Sequence, residues 1–373
     1  MEQRMLGGRT PQQFMAEHWQ KRPLFVPDAV PEAAAVIDVE TLLDLAQHPE
    51  AESRKISQTQ QGWQLDQGPF RARQLAGRQA WTVLVQGINH FLPEADALLR
   101  RFGFITYARL DDVMASYATP GGGVGPHYDS YDVFLIQARG TRRWEISAQT
   151  DRDLVPNQPL KIMADFRAQE SFDCRPGDLL YLPPGYAHHG VALDDCITLS
   201  VGFRAPSNAE LAREFLLWMA ERVELPGLYA DPNLAATDRP AAMPEAMVAS
   251  VAATLASVAW SADDVRRFLA QFLSEPKPHV VFEAPEDELN ERDFVRAARA
   301  SGVALDLQTL MLYDQGRVYC NGEPWLCSPQ TVEALCRLAD LRYLTADELE
   351  APVAAALYPA YQAGHVHLAA AVD

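Results

Sequence analysis

The chain has 373 residues, of which 48% are hydrophobic, so it is long enough for two or three domains with apolar cores. It contains 32 Lys and Arg residues against 50 Asp and Glu residues, a formal net charge of −18. This acidic balance argues against direct binding to nucleic acid or to an anionic membrane, and it suits a basic partner.

Neither a membrane span nor a disulfide framework is expected. No apolar run reaches the roughly 18 residues of a transmembrane helix. The opening MEQRMLGGRTPQQF contains no apolar signal core. The five cysteines are scattered and form no CxxC pair, as is typical of reduced thiols: Cys174, Cys196, Cys320, Cys327 and Cys336. The sequence therefore predicts a cytoplasmic protein.

The first two-thirds of the chain are predicted to lead from helices into a β-rich core. Thr10-Pro11 predicts the start of a helix that continues to Pro23. From about residue 100 to 206, short segments such as YDVFLIQA, RRWEI and ITLSVGF alternate with turn signals such as RG, RPGD and PPG. Regular short strands at this spacing predict a sandwich or barrel.

The remaining chain is predicted to be mostly helical. Ser207 or Asn208 can cap a helix, and the apolar stretch 243–260 and the segment 261–273 follow. Pro276-Lys277-Pro278 is typical of a linker, and the last segment mixes helices with hairpins, as in a small winged helix. We therefore divide the chain into 1–206, 207–276 and 277–373. Because 243–260 is apolar all round, we expect homodimerisation through the helical region.

A metal site is predicted from two separate motifs. His127 and Asp129 are two residues apart and would share one face of a strand, although a buried core histidine could give the same pattern. The segment GDLLYLPPGYAHHG then fits G-x5-P-x-G-x2-H, which ends at His188. Adjacent strand residues face opposite sides, so His188 rather than its neighbour His189 is the expected ligand. Two histidines and one carboxylate are typical of non-haem Fe(II) oxygenases.

The other paired histidines, His365 and His367, have no supporting motif, and we interpret them as part of a surface hairpin. The glycines of PGGGVGPH are expected to let the backbone approach the metal site closely and turn sharply before His127.

Arg142 is predicted to be buried and to need an anion. In TRRWEI it shares a face with Trp144 and Ile146, and this apolar face should point inward. Its partner could be the far carboxylate of a bidentate cosubstrate such as 2-oxoglutarate, or an internal carboxylate. Another polar face precedes the glycines, where Asp112, Met114 and Ser116 alternate with apolar residues. It fits either a pocket wall or a solvent-facing stripe.

With these residues in place, the chain resembles the JmjC-type 2-oxoglutarate oxygenases. It is most similar to the bacterial ribosomal oxygenases that hydroxylate an arginine of large-subunit ribosomal protein sixteen. The similar segments are HWQKRP at 18–23, PGGGVGPH, YDVF, PPG-x-x-H and SVGFRAP at 200–206. The resemblance implies an α+β fold with a double-stranded β-helix core (a cupin or JmjC jelly roll), a helical dimerisation region and a C-terminal winged helix. It also implies Fe(II), 2-oxoglutarate and O2 as cofactors and a basic ribosomal protein as substrate.

The resemblance also assigns roles to single residues. They are iron ligands His127, Asp129 and His188; 2-oxoglutarate contacts Arg142, Ser116 and Ser200; and contacts to the target arginine Asp112, Met114 and Tyr131. The last group is chemically sensible, because a carboxylate pairs with a guanidinium, and a thioether and an aromatic ring can flank its flat faces.

Two other functions are compatible with a cupin barrel. One is a ligand-binding transcription regulator, but segment 277–373 holds 7 Lys and Arg against 15 Asp and Glu, and a DNA-reading domain should be basic. We therefore expect the winged helix to be structural or protein-binding. The other is a small-molecule dioxygenase, which would not need Arg142.

Overall fold

The computed structural model describes residues 2–59, 62–77 and 80–369. The N-terminal region contributes α1 (Glu2–Met5), α2 (Pro11–Glu17), β1 (Leu24–Val26), α3 (Val39–Leu45), β2 (Ser53–Thr59), β3 (Gly62–Gln67), β4 (Trp81–Val85) and α4 (Pro93–Arg100). Across the described ranges, no helix combines the length and the apolar character that crossing a bilayer requires.

The first predicted helix begins where expected but ends early. The Thr10 side chain accepts a hydrogen bond from the Gln13 backbone, and the Gln13 side chain accepts one from the Thr10 backbone. Helix α2 then ends at Glu17 rather than near Pro23. The chain turns because Gln20 has a φ of 56° and its backbone N–H donates to the Tyr181 hydroxyl at 2.8 Å. A contact with the barrel therefore overrides the local helix preference.

The predicted β-rich core is a pair of antiparallel sheets. Its strands are β5 (Leu110–Ala118), β6 (Val133–Arg139), β7 (Arg142–Ser147), β8 (Glu170–Cys174), β9 (Leu179–Leu182), β10 (Ala187–Ala192) and β11 (Cys196–Phe203). Within the described ranges, the larger sheet has eight strands in the order β1-β9-β6-β11-β5-β4-β2-β3. The smaller sheet has the order β10-β7-β8. Residues of both sheets line one cavity, and the jelly-roll prediction is confirmed.

The larger sheet has one face in the main core and one face in this cavity. On β5, the side chains of Val113 and Ala115 are fully buried in the core with Phe14 and Phe134. The alternate residues of β5 face the cavity, as period-two alternation requires. The polar stripe of this strand is therefore a pocket wall and not a solvent-facing surface.

The middle of the chain forms α5 (Asn208–Ala220), α6 (Glu245–Ala256) and α7 (Ala262–Ser274). Ser207 caps α5, with its side chain accepting a hydrogen bond from the Glu210 backbone at 3.1 Å. Helix α7 packs against α5 and also against the C-terminal region, where its Gln271 donates to the Gly322 carbonyl. Helix α6 has no buried side chain.

The C-terminal region is the predicted winged helix. It contains α8 (Glu291–Ser301), β12 (Val303–Leu305), β13 (Met311–Asp314), β14 (Arg317–Cys320), β15 (Glu323–Trp325), α9 (Val332–Leu341), β16 (Tyr343–Leu344), α10 (Ala351–Gln362) and β17 (Val366–Leu368). Its core includes Phe294, Leu335 and Leu357, all 1% exposed or less. Strand β17 pairs with β12 in a three-stranded sheet, so His365 and His367 do not form the local hairpin predicted for them.

Candidate active site

The cavity between the two sheets has a volume of about 590 Å³ and brings all the predicted site residues together. The larger sheet contributes Asp112, Met114, Ser116 and Ser200; the smaller sheet contributes Arg142 and His188; and the segment before β6 contributes His127, Asp129 and Tyr131. Residues from four strands and one loop therefore converge on one space.

A potential metal site lies in this cavity. One ligand atom from each of His127, Asp129 and His188 lies within 4.8 Å of the other two. Nε2 of His188 is 3.6 Å from Oδ2 of Asp129, and the two imidazole ring centroids are 4.2 Å apart. Such a set of two imidazoles and one carboxylate fits Fe(II) and leaves further coordination positions open.

Backbone carbonyls orient both imidazoles toward a metal. Nδ1 of His127 lies 2.9 Å from the Gly125 carbonyl, and Nδ1 of His188 lies 3.0 Å from the Tyr186 carbonyl. Because a carbonyl only accepts, each Nδ1 carries the proton and each Nε2 presents its lone pair to the cavity. Burial, reinforced by the neighbouring His127, lowers the pKa of His188 and keeps that ring neutral near pH 7.

The choice of His188 over His189 follows from strand parity. His188 lies on β10 and is 3% exposed, whereas His189 points to the other side, with Nδ1 3.4 Å from Oε2 of Glu145. The prediction that His127 and Asp129 share one face of a strand is wrong, although both side chains reach the site. His127 forms only an isolated bridge with His188, and Asp129 lies outside any strand. Its backbone carbonyl instead accepts a hydrogen bond from the Gly185 N–H at 2.7 Å, which fixes the loop.

The glycine run lies against β10. The Gly121 N–H donates to the Ala192 carbonyl at 2.8 Å, and the Ala192 N–H donates to the Gly122 carbonyl at 2.9 Å. A Cβ on Gly123 would lie 2.3 Å from the Gly190 carbonyl oxygen. The glycines therefore permit the close approach predicted for them, and the pairing they allow continues to the His127 backbone, which bonds His188 in both directions at 2.8 and 3.0 Å.

Arg142 is buried without a compensating carboxylate. It is 5% exposed, and Nη1 donates to the Ser116 hydroxyl at 3.3 Å. Among the described residues, its Nε and Nη2 have no hydrogen-bond partner, and no acidic group pairs with it. The nearby Cys196 thiol does not balance the charge, because burial raises the pKa of that thiol and keeps it neutral. The interpretation as an internal salt bridge is wrong, and the site calls for an external anion.

The acidic end of the cavity differs from the simple open carboxylate expected there. Asp112 is 1% exposed and already bonded, with the Gln86 amide donating to its two oxygens at 2.9 and 2.8 Å. Lys277 donates to Oδ2 of Asp112 at 2.8 Å. Neither Gln86 nor Lys277 could be predicted as a partner of Asp112 from local sequence pattern, because both lie far from residue 112 in the chain. The same pattern also missed Arg54, whose Nη2 is 3.8 Å from the Met114 sulfur.

Comparisons with known proteins agree with this geometry. The JmjC domain family matches residues 97–211, and the ROXA-like winged helix family matches residues 257–367. The chain is 34% identical over 346 residues to the Escherichia coli protein named "Ribosomal protein uL16 3-hydroxylase", an alignment that covers 91% of this chain and 92% of that protein. It is also 37% identical over 207 residues to the "Probable ribosomal oxygenase" of Haemophilus influenzae, covering 54% of this chain and 51% of that protein.

Solved structures show the same relationship. The X-ray structure of E. coli YcfD matches with a TM-score of 0.83 and 30% sequence identity, covering 96% of this chain and 98% of that one. A YcfD complex with cobalt and 2-oxoglutarate matches with a TM-score of 0.79 and the same identity, covering 95% and 97%. The chain therefore belongs to the JmjC-domain ribosomal oxygenases, which are 2-oxoglutarate-dependent dioxygenases.

Proposed function

We propose that this protein uses Fe(II), 2-oxoglutarate and O2 to hydroxylate an arginine side chain of ribosomal protein uL16. The observation that carries the proposal is the layout of one cavity. A His–Asp–His cluster stands on its wall, an unpaired buried arginine lies on the smaller sheet, and a carboxylate lies at the end of β5. The relative named as a uL16 hydroxylase supports the choice of partner.

The residues fit Fe(II) and the cosubstrate 2-oxoglutarate. His127, Asp129 and His188 supply the nitrogen and oxygen donors that suit Fe(II). The Arg142 nitrogens that lack a partner in the described chain and the Ser116 hydroxyl suit the far carboxylate of 2-oxoglutarate, since a guanidinium can hold a carboxylate through paired bonds. Ser200, which pairs with Met114 across β11 and β5, lines the same wall and offers another hydroxyl.

The protein's own residues bind and orient the metal, the cosubstrate and the target side chain, and the cofactors supply the oxidation. When bound, Fe(II), O2 and 2-oxoglutarate together insert one oxygen atom into a substrate C–H bond while 2-oxoglutarate becomes succinate and CO2. Trp144 and the apolar residues Val133 and Leu135 line the cavity beside the polar groups. They reduce water access and so strengthen the charged contacts inside it.

Asp112, Met114 and Tyr131 are proposed to hold the target arginine. Asp112 supplies the negative charge, and the Met114 thioether and the Tyr131 ring offer surfaces for a flat cation. Tyr131 is 39% exposed, so it lies where an incoming side chain would pass. The net charge of −18 favours encounter with a basic ribosomal protein.

Mass spectrometry of ribosomal proteins tests this proposal. Cells that express the gene should contain a uL16 heavier by one oxygen atom than cells that lack it, with the added mass on an arginine. In vitro, a uL16 peptide with that arginine replaced by lysine should lose most of the rate, because an ammonium makes no paired planar contact with a carboxylate. Unchanged uL16 mass, or equal turnover of both peptides, would contradict the proposal.

A further inference from the structure

Lys277 already forms an ion pair with Asp112, the carboxylate that is proposed to bind the target arginine. Its Nζ lies 2.8 Å from Oδ2 of Asp112 and 3.0 Å from Oδ1 of Asp111. We propose that Lys277 is an internal competitor for the substrate's cation, which holds Asp112 in the free enzyme and is displaced when the target arginine enters. This inference rests on the proposed function, since it takes Asp112 as the substrate's anchor.

Burial explains why an internal cation is present. The side chain of Asp112 is 2% exposed, and an isolated buried charge is costly. The amide of Gln86 donates hydrogen bonds to it but carries no charge to offset it. Lys277 supplies that charge while the substrate is absent. Burial alone would lower the pKa of Lys277, but the carboxylates of Asp112 and Asp111 outweigh it, so the pKa is raised and the ammonium stays protonated.

The contacts of Lys277 also make it replaceable. Its side chain is 28% exposed, so the ammonium is not sealed inside the protein. Asp111 lies beside Asp112 and can retain the ammonium when Asp112 pairs with the substrate's guanidinium. Arg204 also lies near Asp111, with its Nε 3.7 Å from Oδ1. A substrate guanidinium offers two parallel donors, whereas the ammonium offers a point charge, so the guanidinium is the stronger ligand for one carboxylate.

Lys277 comes from a segment outside the barrel. It lies between Pro276 and Pro278, in the segment that connects α7 to α8. Proline restricts the backbone on both sides, so the lysine is presented from a stiff segment. The substrate site of the barrel is therefore completed in the free enzyme by a residue from outside it.

Steady-state kinetics of Lys277→Met and Lys277→Arg test the proposal on full-length iron-loaded enzyme with an arginine peptide of uL16. Lys277→Met removes the competitor and should lower the peptide KM by at least about three-fold, the size expected for a partly exposed ion pair. Lys277→Arg installs a stronger competitor and should raise the peptide KM. Neither variant should change the KM for 2-oxoglutarate. Lys21→Met is the control, because it removes the same charge from an exposed lysine whose ammonium donates to the Met15 and Ala16 carbonyls.

The outcomes separate the competing explanations. If Lys277 only positions Asp112, Lys277→Met raises the peptide KM, and the proposal is overturned. An unchanged KM in Lys277→Met overturns it as well. If Lys277→Met unfolds at the assay temperature, Lys277→Arg decides alone, since an equal or lower peptide KM is incompatible with competition. If the wild-type enzyme does not hydroxylate any arginine peptide, the proposed function fails first, and the competitor role fails with it.

Discussion

Arg142 and Arg143 are neighbours in the chain with opposite environments. Arg142 points into the cavity, and two of its nitrogens have no hydrogen-bond partner among the described residues. Arg143 points outward and donates to both carboxylate oxygens of Asp173 at 2.7 and 2.9 Å. The exposed pair is screened by water and contributes little stability. The buried arginine has no such screening, so its binding energy is available for an anionic ligand.

Replacing Arg142 should therefore impair cosubstrate binding specifically. Arg142→Ala removes a charge-assisted contact worth about 1.5–3 kcal/mol, so the apparent KM for 2-oxoglutarate should rise on the order of 10- to 100-fold. Arg143→Ala is the matched control and should leave this KM within about two-fold. Measuring succinate formation against 2-oxoglutarate concentration compares the two variants. A larger effect from Arg143→Ala would contradict the proposed role.

Sequence pattern located single residues well when their environment depends on local geometry. Strand alternation is enough to send Arg142, Trp144 and Ile146 inward on β7 and to select His188 over His189. The contacts of Gln86 and Lys277 with Asp112 could not be predicted this way, because they depend on how distant segments pack. The sequence contained the linker lysine, but nothing local linked it to the cavity.

At the scale of elements, the glycine run and β10 form one unit that sets the metal site. The backbone bonds from Gly121 to His127 place His127 opposite His188. Positions 122 and 123 require glycine, because both residues approach backbone carbonyl oxygens more closely than a Cβ allows. The glycine motif was predictable, but the strand assumed for residues 127–129 was not correct, since a bridge and a loop hold these residues.

A single methyl group in this run should damage the metal site. Gly123→Ala brings a Cβ within 2.3 Å of the Gly190 carbonyl, so the two segments must separate. We expect a loss of about 1–3 kcal/mol in the free energy of unfolding and weaker metal binding. Thermal unfolding with and without Co(II) measures both effects. Gly227→Ala is the control for metal binding, because its φ of 89° strains the backbone while no atom of the described residues lies within 4 Å, so it can cost stability without disturbing the metal site. Metal binding equal to wild type in Gly123→Ala would contradict this account.

At the scale of the whole molecule, α6 presents an apolar surface that nothing covers within the described chain. Its twelve residues include no buried side chain, and Val248, Val251 and Leu255 are 47%, 41% and 65% exposed. An apolar surface of this kind is typical of a protein–protein contact. The change from short strands to helical segments near residue 206 predicted this region. Because most soluble oligomers are symmetric assemblies of identical chains, we expect a second copy of this chain to cover the surface.

We therefore predict a homodimer that depends on α6. Wild-type protein should sediment as a dimer at micromolar concentration. The double variant Val251→Lys and Leu255→Lys should weaken the dimer on the order of 100-fold or more, since it removes apolar contacts and brings like charges together. Leu326→Lys is the control, because Leu326 is fully exposed in the C-terminal region. A monomeric wild-type protein, or a variant that remains fully dimeric, would refute the prediction.

The N-terminal strand β1 covers β9 at one edge of the larger sheet. It has only three residues and pairs with β9, whose residues Leu179–Leu182 are all buried. Phe25 on β1 also stacks on Phe172 at 4.7 Å. Without β1, β9 would offer a row of unpaired backbone groups beside apolar side chains, which is the template on which chains aggregate. Solubility of the whole protein thus depends on a short segment far from its chemistry, and shortened forms that begin after Val26 should precipitate rather than fold.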